Sequence, residues 1–156
     1  MLIPTGVSAE NVDRFVKCFA DAWAHVAEDQ GTIESHYHQR GRGNVMLQPH
    51  VVGSSDGIAA AGCNKDPFLM RANPLVVFSL PGGDAWITLL ICEELAHAFL
   101  IASRDPTHVP QITSEAENAA CAVMERWGCD MQEHQRLLDW ITSHSRNGSW
   151  DPLPWT

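Results

Sequence analysis

The chain has 156 residues with 10 basic and 19 acidic side chains, a net charge of −9, and 45% apolar residues. That is enough apolar material for one buried core. With Lys17 and Lys65 as its only lysines and a single short basic run at Arg40–Arg42, it lacks the basic face that nucleic-acid binding requires, so no nucleic-acid partner is expected. Five cysteines, an odd number with no CxxC among them, read as reduced thiols. The first residues, MLIPTGVSAEN, lack the basic-then-apolar layout of a signal peptide. A cytoplasmic setting is the expectation.

Residues 8–30 carry Val12, Phe15, Val16, Phe19, Trp23, Val26 and Ala27 at the i, i+3, i+4 spacing of an amphipathic helix, with Ser8 as its cap and Gly31 as its end. The next segment, TIESHYHQRGRGN, is polar and glycine-bearing and is expected to be a loop. From residue 44 to residue 81 the pattern changes. VMLQPHVV, GIAAAGC and PLVVFSL are short apolar runs separated by the turn chemistry of GSSDG and NKDP, so they are expected to form a small sheet of about three strands.

Asp84 in PGGD is a good N-cap for a helix over 85–104 that is apolar on almost every side, and therefore central. Its length approaches that of a membrane span. Three ionisable residues at its middle argue against that, and no membrane association is expected. Ser114-Glu115-Ala116-Glu117 is a capping-box pattern opening a third helix to about Trp127, closed by Gly128. Asp130 to Glu133 repeats the capping pattern for a last helix whose buried side is Leu137, Leu138, Trp140 and Ile141. The end, RNGSWDPLPWT, has too many breakers for a helix and docks through Trp150 and Trp155 or stays loose. The expected architecture is an α+β domain over residues 1–145, a three-stranded sheet packed on a central buried helix with flanking helices, followed by a tail at 146–156.

The chemistry concentrates in LLICEELAHAFL, residues 89–100. Glu93 and His97 lie four residues apart, so they share one helix face a turn from each other, and Glu94 sits beside it. Charged groups in an apolar run are costly unless paired, hydrogen-bonded or metal-bound. A buried hydrogen-bonded pair is the plain explanation; three ionisable residues within five positions favour a site.

Glu93-Glu94-Leu95-Ala96-His97 resembles the HExxH signature of zincin metallopeptidases, with glutamate in place of the first histidine. The flanking order is similar too. A glycine-containing strand pair (DGIAAAGC and PLVVFSL) precedes the signature helix, and SEAENAACAVM resembles the downstream glutamate helix of ImmA/IrrE-type peptidases. The resemblance spans about residues 51–127. It implies a zincin-like fold in which His97 and Glu115 are metal ligands, Glu93 stands at the first ligand's place, and Glu94 is the general base. Glu117 is an alternative third ligand, although its capping-box position offers it another duty.

A site of Glu93, His97 and Glu115 holds two anionic ligands. These neutralise much of a dication's charge, weaken it as a Lewis acid, and favour manganese or iron as well as zinc. Two outcomes stay open. One is a degenerate relative that binds a peptide or protein partner, with or without a divalent metal; the other is an active metal-dependent hydrolase. A different class is the helical di-iron carboxylate protein, since Glu94 to His97 is also an ExxH, but no second ExxH exists in the chain. His36 and His38 have HxH spacing in a polar segment and are expected to be exposed. His108 lies in the loop after the central helix, within reach of a cleft.

Overall fold

The computed structural model describes residues 7–39, 59–61, 70–72, 74–104, 114–146 and 149–150. Helices dominate: α1 (Ala9–Val26), α2 (Gln30–Gln39), α3 (Pro74–Val77), α4 (Gly83–Ala102), α5 (Ser114–Arg126) and α6 (Met131–His144). Extended pairing among the described residues is slight. Strands β1 (Ala59–Ala61) and β2 (Met70–Ala72) form a three-residue antiparallel ladder with Ala60 opposite Arg71, and Ser145–Arg146 pairs with Ser149–Trp150.

The expected α+β class with a three-stranded sheet is therefore corrected to a mostly helical protein. The run PLVVFSL, expected as a strand, opens as helix α3 instead. Pro74 at the first helical position has its φ preset for a helix and no N–H to satisfy. Val76, Val77 and Leu80 are all buried, and a short, fully buried apolar run carries no periodicity that separates strand from helix. VMLQPHVV lies outside the described residues. The expected loop after Gly31 is also corrected: a short 3-10 turn (Ala27–Asp29) leads directly into α2, which contains Gly31 and buries Ile33 and Tyr37.

Helix α4 is the centre of the molecule. Helices α1, α2, α5 and α6 and strand β1 all contact it, and twelve of its twenty residues are buried. By length and composition it is apolar enough to cross a membrane, yet 67% of its apolar window is covered by the rest of the protein. Core helices of this kind need apolar residues all round because every side meets another element.

Helix α1 begins as expected, with Ser8 accepting a hydrogen bond from the Asn11 N–H at 3.2 Å. Its buried face is Phe15, Cys18, Ala22 and Val26, while Val16 is 47% exposed. The small Cys18 and Ala22 side chains let α1 approach α4 closely, and the larger Phe19 and Trp23 pack at the margin. Arg14 fastens the two helices. Its Nε and Nη2 both donate to Asp84 Oδ1, at 3.0 and 2.8 Å, in the first turn of α4.

The α5 terminus is a Schellman motif: the Cys129 N–H donates to the Met124 carbonyl at 3.1 Å and the Gly128 N–H to the Glu125 carbonyl at 3.0 Å. Gly128 has φ 79°, a conformation that a side chain would strain. Asp130 then caps α6 by accepting from the Gln132 and Glu133 N–H groups, each at 3.1 Å. The turn is bound to the N-terminal half through Trp127, whose indole donates to Asp29 at 2.8 Å, and Arg126, which pairs with the same carboxylate at 2.6 Å.

Because α4 is enclosed, truncating it costs far more than truncating α1's outer face. Leu95→Ala, at a fully buried position, is expected to lower unfolding free energy by about 2–5 kcal/mol. Val16→Ala should cost less than about 1 kcal/mol. Urea titrations of both variants measure the contrast; equal midpoints would refute α4 as the core helix.

Candidate metal centre

One face of α4 carries the ionisable residues, and the flanking helices supply their partners. Glu93 and His97 follow each other up the helix and are 8% and 6% exposed. Helix α5 brings Glu117 across from them. The His97 Nε2 and Glu117 Oε1 atoms are 3.5 Å apart. Glu93, His97 and Glu117 each present a donor atom, and these atoms all lie within 4.8 Å of one another, the group of three with ligand spacing among the described residues.

Helix α6 adds His134, which is 2% exposed and whose Nε2 stands 3.5 Å from Glu93 Oε2. That nitrogen is buried, and the Glu93 carboxylate stands at the limit of hydrogen-bonding distance from it. A carboxylate that binds a metal through one oxygen commonly accepts a hydrogen bond on the other. His134 stands where it would serve Glu93 in that way.

The electrostatics follow from burial set against acidity. Burial pulls the His97 pKa down, but the hydrogen bond to Glu117 and the negative charges of Glu94, Glu117 and Glu93 outweigh it, and the net shift is upward. His134 behaves alike. Burial opposes its charge, while hydrogen bonding to Cys121 and to Glu93 favours it, and the pKa is raised to about 9. Without a metal, imidazolium protons supply the positive charge that this acidic pocket demands.

The donors suit a small divalent cation. Tetrahedral ligands about 2.0–2.1 Å from zinc lie roughly 3.3 Å from one another. The His97–Glu117 separation of 3.5 Å is already near that value. The widest pair would have to close by roughly 1.5 Å or less, within reach of side-chain rotation.

The residues singled out by sequence divide as follows. Glu93 and His97 are brought together. Glu94 is half-buried on the neighbouring face, and its charge acts on His97. Glu115 is exposed at the start of α5 and is not in the converging group, where Glu117 stands instead. Helix α5 begins at Ser114, and Glu117 extends from its first turn to His97. His36 and His38 fall in α2, where the His36 ring meets Tyr37 edge-on at 4.7 Å. His108 lies outside the described residues. His134 was not singled out, although it shares an i, i+3, i+4, i+7 stripe with Leu137, Leu138 and Ile141, and a histidine on such a stripe is a visible signal.

No protein family, curated protein or solved structure matches this chain.

In chelator-treated protein, His134→Leu leaves the Glu93 carboxylate buried without its partner and is expected to cost about 3–5 kcal/mol. The Glu93→Leu/His134→Leu double variant should recover much of that loss. Because the folded-state pKa of His134 is raised, its stabilising contribution is complete below the ordinary histidine value of 6.5 and disappears as pH rises through about 9. Unfolding midpoints between pH 6 and 10 should therefore fall more steeply for the wild type than for the double variant. Parallel curves would contradict the pairing.

Proposed function

We propose that the protein binds one divalent metal ion through Glu93, His97 and Glu117 and acts as a binding or regulatory module related to zincin metallopeptidases. The observation that carries this reading is the convergence of three donor atoms within 4.8 Å on the helix bearing the altered signature. The ligand set argues against a peptidase. Two carboxylates offset most of the dication's charge, so a bound ion would polarise water or a carbonyl less than one held by two histidines and one carboxylate. The same set favours oxygen-preferring ions, manganese or iron(II), alongside zinc.

When bound, the ion supplies positive charge where Glu93 and Glu117 face each other. The protein's own residues do the rest. His97 offers a neutral nitrogen once its proton has left, Glu93 and Glu117 offer oxygens, and His134 orients Glu93 from behind. A peptide or protein is the partner proposed for such a module. The second reading is a metal-dependent hydrolase with Glu94 as general base, favoured by Glu94's half-buried position beside His97. A di-iron carboxylate site has no support, because the chain contains a single ExxH.

Calorimetric titration of metal-free protein with manganese, iron(II) and zinc is expected to give one ion per chain. His97→Ala and Glu117→Gln should each weaken binding about 100-fold or more, and Glu115→Gln should leave it within about threefold. Glu93→His, which restores a two-histidine, one-carboxylate set, should shift preference toward zinc. Binding lost in Glu115→Gln but kept in Glu117→Gln would defeat this ligand assignment. Peptide cleavage by the metal-loaded wild type, abolished by Glu94→Gln, would establish the hydrolase instead.

A further inference from the structure

A second cluster lies on another face of α4, independent of the proposed metal ligands. Ala85, Thr88, Leu89 and Cys92 form one wall of an open cavity of about 760 Å³. Successive helical residues are turned about 100° from each other, so Cys92 faces this cavity while Glu93 faces α5 and α6. The opposite wall comes from the α5–α6 turn, where Trp127, Gly128 and Cys129 line the same space. The Schellman motif determines where Cys129 sits: its N–H returns to the Met124 carbonyl, and the left-handed Gly128 turns the chain back toward α4.

The result is a pair of free thiols, Cys92 and Cys129, brought to the same cavity from two elements. Cys92 is 1% exposed and Cys129 is 9% exposed at the cavity surface. His25 of α1 also lines the cavity, its Nδ1 3.3 Å from the Trp127 carbonyl oxygen. Asp21, Asp130 and Glu133 are the acids around the rim.

We propose that Cys129 and Cys92 form a hydroperoxide-reactive dithiol, with Cys129 the attacked sulfur and Cys92 the resolving one. The Cys129 thiolate attacks the near oxygen of a hydroperoxide. The S–O bond forms, the O–O bond breaks, and the departing hydroxide (or alkoxide) takes a proton from water, leaving Cys129 as a sulfenic acid two electrons more oxidised. The Cys92 sulfur then attacks the Cys129 sulfur. The S–S bond forms, the S–OH bond breaks, and the leaving hydroxide carries away the Cys92 proton as water. With hydrogen peroxide, two thiols and one peroxide become one disulfide and two waters.

Two features assign the roles. Cys129 is the more exposed of the two and stands at the cavity wall, where a small oxidant reaches it. The thiol of Cys129 is held below its ordinary pKa, chiefly by the hydrogen bond from Cys92, against burial and with help from the charges of His25 and His134. Cys18 serves as an internal contrast: it is buried between α1 and α4, donates to the Asp84 carbonyl at 3.6 Å, and burial pushes its pKa up.

The five cysteines fall on separate tryptic peptides: 18–40, 43–65, 72–104, 105–126 and 127–136. Reduced full-length protein treated with one equivalent of hydrogen peroxide should yield a cross-link between 72–104 and 127–136 that dithiothreitol reverses. In Cys92→Ser, Cys129 should stop at the sulfenic acid and be captured by dimedone on 127–136. In Cys129→Ser, peptide 72–104 should stay reduced. Iodoacetamide at pH 7 should modify Cys129 about tenfold or more faster than Cys18. A bridge to Cys121 or Cys63 in the wild type, or full reduction after peroxide, would overturn the proposal. The wild-type peptide map decides this even if a serine variant fails to fold.

Discussion

Everything else in the molecule depends on the need to cover α4 on all sides. A twenty-residue helix with twelve buried positions cannot stand at a surface, so α1, α2, α5 and α6 are arranged around it. Its entry is secured by the Arg14–Asp84 pair, and the far end of the surrounding layer is closed by the Trp127 and Arg126 contacts to Asp29. These polar clasps are partly exposed. Their contribution lies more in alignment than in net free energy, which the buried apolar surface supplies.

Enclosure creates the electrostatic problem at Glu93 and His97. An unpaired charge at either position would be strongly destabilising, so the covering helices must provide partners. Helix α5 provides Glu117 to His97, and α6 provides His134 to Glu93. The four groups carry two potential negative and two potential positive charges, and protons can balance them in the metal-free state. A metal ion can replace those protons because the donor atoms already converge. The buried pair and the metal site are thus two states of one arrangement.

Helix α4 keeps two chemistries apart by rotation alone. The face holding Glu93 and His97 looks toward α5 and α6, and the face holding Cys92 looks into the cavity beneath the α5–α6 turn. Both depend on the course of the chain from α5 into α6, because Glu117, Cys129 and His134 all lie within that segment. The Gly128 turn therefore bears on each of them: it sends α6 back across α4 and places Cys129 on the cavity that Cys92 also lines.

Local sequence was sufficient for much of the helical framework. The Ser8 cap, the centrality of α4, the Gly128 stop and the Asp130 cap each rest on a few neighbouring residues, whereas the expected Asp84 cap does not form, because α4 already starts at Gly83 and the Asp84 carboxylate accepts from Arg14 instead. The adjacency of Glu93 and His97 was legible for the same reason, since i, i+4 spacing places them on one face. PLVVFSL was misread because a short apolar run suits a buried strand and a buried helix equally, and only its neighbours choose. The third member of the cluster was equally undetermined. Glu115 and Glu117 are two residues apart on α5, about 200° around the helix, so the rotation of α5 against α4 turns Glu117 toward His97 and leaves Glu115 exposed. No local signal encodes that rotation, nor the meeting of His134 with Glu93 or of Cys129 with Cys92, because each pair is brought together by packing between helices distant in the chain. Sequence alone determined that α1, α4, α5 and α6 would be helical and that α4 would be buried, because caps and periodicity are local; tertiary packing decided the helical state of α2 and α3 and which of the acids, histidines and thiols would meet.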